Sequence, residues 1–126
     1  MTGTDASAPL RLLLVSDHRA ASDALTSYLS RHGFEIVARV SSPAGAAEAA
    51  EWAHPDVALV DGEVACGWRA VVAALEISLC RQRIAVVSAY WTQREQQDAD
   101  RSGVGATLLK RIASAALALQ LRSLAA

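Results

Sequence analysis

Four short apolar runs in this chain end on groups that can do chemistry together. Pro55-Asp56-Val57-Ala58-Leu59-Val60 closes on Asp61, and Leu10 to Val15 is followed by Ser16 and Asp17. Ile84-Ala85-Val86-Val87 closes on Ser88, and Leu108-Leu109 is followed by Lys110. Two carboxylates, a hydroxyl and an ammonium are complementary groups: the first bind cations, the others bind anions. They converge on one crevice if the runs are strands lying in register. Asp61 stands where its run leaves a sheet, the edge at which ligands of open parallel sheets gather. It is therefore the candidate reactive centre. Taken alone, Asp61-Gly62 reads equally well as a plain Asp-Gly turn.

The elements that must position these groups can be read in order. Leu10–Val15 is too short and too apolar for an amphipathic helix and reads as a strand buried on both faces. Ala21, Ala24, Leu25, Tyr28, Leu29 and His32 recur at helical spacing, with Ser16 or Asp17 as the expected cap and Gly33 as the stop. Phe34–Val40 is a second strand. Ser41-Ser42-Pro43 opens an alanine-rich helix reaching Ala53, and His54-Pro55 ends it. After the third strand and the loop Gly62–Gly67, the residues Trp68, Val71, Val72, Leu75 and Leu79 mark a third helix. Arg83–Ser88 is the fourth strand. Thr92–Ser102 is polar on every side, with Ala99 as its sole apolar residue, so it is weakly held to the core and is expected to be a short or mobile helix with Trp91 as its main anchor. Gly103–Leu109 is the fifth strand, and Ile112–Leu124 the last helix. On that helix Ile112, Ala115, Ala116 and Leu119 make one stripe, and Leu117, Leu121 and Leu124 another. One stripe can face the sheet; the other is expected to be a partner or homodimer surface, here assigned to Leu117, Leu121 and Leu124. Trp52, Trp68 and Trp91 read as packing residues, His32 and His54 as helix-end residues, and His18 carries no assigned role.

Five β-α alternations predict an α/β fold with a doubly wound, five-stranded parallel sheet and helices on both faces. A chain of 126 residues suits one domain, here 10–126, preceded by a flexible segment 1–9. Hydrophobic residues make up 52% and the formal net charge is −1, which argues against disorder and against a nucleic-acid binder held by bulk charge. Cys66 and Cys80 lack metal-site spacing and read as reduced thiols of a cytoplasmic protein. The start of the chain lacks signal-peptide character, and no run is long enough to span a membrane.

In four places and in the right order, the sequence resembles the receiver domain of bacterial two-component response regulators: Val-Ser-Asp-His at the first strand, Pro-Asp-Val-Ala-Leu-Val-Asp at the third, Val-Val-Ser-Ala at the fourth and Leu-Leu-Lys at the fifth. The resemblance runs from Leu10 to about Leu124. It implies a flavodoxin-like sheet of order 2-1-3-4-5. It implies that Asp61 accepts a phosphoryl group from a histidine kinase or phosphotransfer protein, and that the chain switches a downstream protein partner rather than acting as an enzyme. Mg²⁺ would be held by Asp17, Asp61 and the main-chain carbonyl of Glu63, with Ser16 reaching it through a water. Lys110 would neutralise a phosphoryl oxygen, Ser88 would donate a hydrogen bond to it, and the small Ala89 would leave it room.

The resemblance has gaps. The family usually carries two adjacent acidic residues after the first strand, where Ser16 replaces one; a carboxylate fewer weakens Mg²⁺ binding. The loop Gly62–Gly67 is short and lacks the usual proline. Arg111 replaces the proline after the lysine, so a trans bond is expected there. Thr107 stands where the switch aromatic is usual, leaving Tyr90 or Trp91 as the expected reporter. Two other readings therefore stay open: a degenerate receiver acting as a phosphorylation-independent interaction or dimerisation module, and an unrelated small α/β enzyme or nucleotide binder. The last is disfavoured by the lack of a glycine-rich phosphate loop.

Overall fold

The computed structural model describes residues 8–126; Met1 to Ser7, and with them most of the segment expected to be flexible, lie outside the described residues. Five strands alternate with five helices: β1 (Leu10–Val15), α1 (Arg19–Ser30), β2 (Phe34–Val40), α2 (Pro43–Ala53), β3 (Val57–Asp61), α3 (Trp68–Leu75), β4 (Ile84–Ser88), α4 (Gln93–Ser102), β5 (Ala106–Leu109) and α5 (Ser114–Ala125). All strand pairs are parallel and the order is β2-β1-β3-β4-β5, as the resemblance implies. Register brings the chemistry to one edge: Val15 faces Val60, Asp61 faces Val87, and Ser88 faces Leu109. Ser16, Asp61, Ser88 and Lys110 therefore leave the sheet side by side.

Two apolar layers sandwich the sheet. On one face Leu13, Val15, Val60 and Val86 meet Ala46, Ala50, Val71 and Leu75 of α2 and α3. On the other Leu12, Leu14, Leu59 and Ala85 meet Leu29 of α1 and Leu117, Ala118 and Leu121 of α5. The alanine run of α2 lets that helix lie close, burying Ala46, Ala49, Ala50 and Ala53. Its start is capped by the Ser42 hydroxyl, which accepts from the Gly45 N–H at 3.0 Å. His54 ends it in the left-handed region at φ 49°.

Several expectations are corrected. β5 begins at Ala106 rather than Gly103, because Gly103 at φ 80° is the left-handed cap of α4. Neither Ser16 nor Asp17 caps α1: His18 holds that position and makes no side-chain cap bond. α1 buries Ser22 and Leu29, whereas Ala21 and Ala24 are exposed, because they line a cleft that opens between α1 and α5. Trp52 is exposed rather than packed. The expected partner surface of α5 is also overturned. Leu117 and Leu121 are buried and Leu124 packs against the same core, since residues four and seven apart put these three on the sheet-facing side. What α5 leaves outside is Leu119, 69% exposed, beside the small Ala115 and Ala116. Ile112 precedes the helix and packs on the core, so no continuous apolar stripe remains there.

The polar α4 holds on by other means. A capping box joins Thr92 and Glu95, Ala99 is fully buried, and Gln96 exchanges hydrogen bonds with Thr107 at 2.9 and 3.2 Å. Trp91 is its anchor, as expected. Its indole N–H donates to the Leu108 carbonyl at 2.8 Å, and its ring meets Trp68 edge-on.

Candidate functional site

Asp61 lies at the carboxyl edge of the sheet with only 5% of its surface exposed. Such burial of a carboxylate needs partners, and each oxygen has them. Oδ1 lies 2.9 Å from the Lys110 ammonium and accepts from the Glu63 N–H at 2.9 Å. Oδ2 accepts from the Ser16 hydroxyl at 3.3 Å. Lys110 is placed by β5 and by its own N–H, which donates to the Ser88 carbonyl at 2.9 Å. The described residues contain no cis peptide bond, so Lys110–Arg111 is trans.

The loop after β3 is drawn against the end of β4. Gly62 donates to the Val87 carbonyl at 2.7 Å, and a Cβ on Gly62 would stand 3.0 Å from the Ser88 Cβ. Only a bare backbone fits at that distance comfortably. This turn aims the Glu63 side chain into the site, which its expected role as a carbonyl donor did not foresee. Its Oε1 lies 2.6 Å from the Lys110 ammonium. Its Oε2 accepts from the Ser88 hydroxyl, and the Ala89 N–H lies 3.3 and 3.2 Å from the two oxygens. The sequence signal was available: a carboxylate two residues beyond Asp61 in a short loop. Burial works against the charged form of Glu63, but hydrogen bonds from Lys110, Ser88 and Ala89 outweigh it and hold the carboxyl below its ordinary range. Burial likewise opposes the Lys110 charge, and its bonds to Glu63 and Asp61 overcome that and raise its pKa.

Asp17 is turned across the site, where its Oδ2 accepts from the Ala65 N–H at 2.9 Å. Sequence reasoning also missed His18. Its Nε2 stands 3.9 Å from both Asp17 Oδ1 and Asp61 Oδ2. The donor atoms of Asp17, His18 and Asp61 all lie within 4.8 Å of one another. Two carboxylates facing each other across so short a span, with Ser16 beside them, suit a hard divalent cation that keeps waters of its own. Ser16, Asp17, Asp61, Glu63, Ser88 and Lys110 are thus brought together. Tyr90 is exposed, and Thr107 is bonded to α4 instead of entering the site. A cleft of about 370 Å³ leads from Asp61 and Lys110 along Leu25, Tyr28, Ile112 and Leu117, between α1 and α5.

No protein-family model matches the chain, and no curated protein matches it in sequence. Solved structures do match in three dimensions. The signal receiver domain of the response regulator NarL from Mycobacterium tuberculosis superposes with a TM-score of 0.82 at 22% identity, over 93% of this chain and 96% of that one. The fold is that of a response-regulator receiver domain. A Burkholderia pseudomallei response regulator solved with a phosphorylated aspartic acid, calcium ion and citrate aligns at TM-score 0.79 and 19% identity, over 92% of this chain and 68% of that one. The CheX-CheY-BeF3-Mg²⁺ complex from Borrelia burgdorferi aligns at TM-score 0.77 and 18% identity, over 91% and 88%. The receiver fold thus accounts for nearly all the described residues. Among them no helix is long and apolar enough to cross a membrane, and Cys66 and Cys80 are unbridged.

Proposed function

We propose that this chain is a receiver of two-component signalling in which Asp61 accepts a phosphoryl group from a phosphohistidine on a kinase or phosphotransfer protein. The observation that carries the reading is the Lys110 ammonium 2.9 Å from a nearly buried aspartate at the carboxyl edge of the sheet, with Ser88 and Asp17 on the neighbouring strand ends. The neighbours with a phosphorylated aspartic acid or with BeF3 and Mg²⁺ support it.

Asp61 Oδ2, free of the lysine, is the oxygen positioned to attack phosphorus. As the O–P bond forms, the N–P bond breaks and the donor imidazole leaves with the electron pair. A carboxylate is a weak nucleophile, so the residues act by placement and charge. Lys110 compensates charge on a phosphoryl oxygen, and Ser88 and the Ala89 N–H donate to the others. Asp17 and Asp61 are the carboxylates that would hold Mg²⁺, with the Glu63 carbonyl and Ser16 in support. When bound, that ion neutralises negative charge shared by the carboxylates and the incoming group. The protein is then a cytoplasmic phosphorylated switch for a partner protein, not a classical enzyme.

The test is intact mass after incubation with a small phosphodonor and Mg²⁺, beside Asp61→Asn. One phosphoryl group gained by the parent alone is expected. A folded parent that gains none from the donor or from histidine kinases, while a control receiver does, refutes the reading. It would then favour the phosphorylation-independent module, which one observation supports: the donors for the phosphoryl group already hold the Glu63 carboxylate.

A further inference from the structure

Three donors from two strand ends converge on one side chain that is not the acceptor. The Lys110 ammonium is 2.6 Å from Glu63 Oε1, the Ser88 hydroxyl donates to Oε2, and the Ala89 N–H points at both oxygens. An ammonium, a hydroxyl and an amide form a cradle for an anion, and Glu63 fills it with a planar one. We infer that Glu63 is a built-in occupant of the cradle that receives the phosphoryl oxygens, so that phosphorylation of Asp61 requires its displacement. This rests on Asp61 being the phospho-acceptor.

The backbone sets up the occupancy. The Gly62 N–H is bonded to the Val87 carbonyl and the Glu63 N–H to Asp61 Oδ1, which ties the root of the side chain on both sides. Glu63 is therefore held over Ser88 by the same turn that shapes the acceptor. The exchange is chemically matched. A phosphoryl group brings three acceptor oxygens and a charge near −2, against two oxygens and a charge of −1. Once it is in place, like-charge repulsion drives Glu63 out. The Glu63 side chain is already 39% exposed, so its way to solvent is open. Ser88 then trades one anion for another, and the cradle is filled both before and after transfer. Glu63 sets the threshold at which the switch is thrown.

The experiment compares the parent, Glu63→Gln and Glu63→Ala. Mg²⁺-dependent phosphorylation by acetyl phosphate is followed by intact mass, with Asp61→Asn in each background as the blank. Glu63→Ala is expected to load at least about tenfold faster, the equivalent of about 1.4 kcal/mol given up at charge-assisted contacts. Glu63→Gln, which keeps an acceptor but no charge, falls between. Loading of Glu63→Ala no faster than the parent overturns the inference. Sulfate supplies a readout that needs no transfer. The Ala89 amide resonance of Glu63→Ala is expected to titrate with sulfate while that of the parent stays still; equal responses overturn the inference. If no variant is ever phosphorylated, the receiver reading fails, and the sulfate titration still decides whether Glu63 fills the cradle.

Discussion

Replacing Lys110 by Met should expose how two carboxylates are kept together at the end of the sheet. Contacts of 2.9 and 2.6 Å on one nitrogen leave the nearest oxygens of Asp61 and Glu63 no more than about 5.5 Å apart, where two unit charges at an effective dielectric near 20 repel by about 3 kcal/mol. The Lys110 and Glu63 side chains are 36% and 39% exposed, and water screens the interaction, so a net cost of about 1–2 kcal/mol is expected at neutral pH. Urea unfolding of the parent, Lys110→Met, Glu63→Gln and the double variant closes a cycle. Lys110→Met should lose about 1–2 kcal/mol, and adding Glu63→Gln should recover most of it, because the repulsion goes with the charge. The reasoning is refuted if Lys110→Met matches the parent, or if the double variant is less stable than Lys110→Met alone.

Leu121→Ala should cost about 2–5 kcal/mol for emptying a fully buried site, while Leu119→Ala should stay within about 0.5 kcal/mol; thermal melts of both check which side of α5 is the core side. Gly105→Ala should destabilise by at least about 1–3 kcal/mol, since its Cβ would stand 2.0 Å from the Gln82 carbonyl oxygen, and denaturant midpoints measure this. The Glu63 pKa is lowered, so its contribution is complete above its ordinary value of 4.5 and fades as pH falls through the lowered one. The Lys110 pKa is raised, so its contribution is complete below 10.5 and fades as pH rises through the raised one. The stability lost by Lys110→Met relative to the parent should therefore be level from about pH 5 to 10 and shrink beyond both ends. His18→Ala should weaken Mn²⁺ binding more than Mg²⁺ binding in calorimetric titrations, because imidazole suits the softer ion.

Much of the fold was legible because each strand is a short apolar run with a turn signal after it. The parallel pairing then forces the strand ends together, and Ser16, Asp61, Ser88 and Lys110 followed from that alone. α5 was not legible, because a helix rich in Ala and Leu offers two plausible stripes and only the packing of Leu117 and Leu121 selects between them. Glu63 was missed for a different reason. Its backbone role could be assigned by analogy, while the direction of its side chain depends on how closely Gly62 approaches Ser88, which no periodicity encodes. His18 escaped because a histidine at a helix start is commonplace, and its meeting with Asp61 is long-range. Thr107, which looked like a missing aromatic, is instead a hydrogen-bonding partner of Gln96.

The polar attachment of α4 has a consequence for how this domain opens. Besides Ala99 and the Trp91 anchor that precedes it, α4 is joined to the rest of the chain by exchangeable polar links: Gln96 to Thr107, Asp98 to Arg69, and the Ser102 carbonyl to Arg81. Water or a partner's side chains can replace each in turn, with little apolar area to re-expose. Peeling α4 away is then expected to need less free energy than unfolding the sheet, with its amides exchanging ahead of those of the strands in hydrogen exchange. Trp91 stands between Ser88 and the start of that helix, so a displacement of Ser88 is expected to reach an element that opens at low cost.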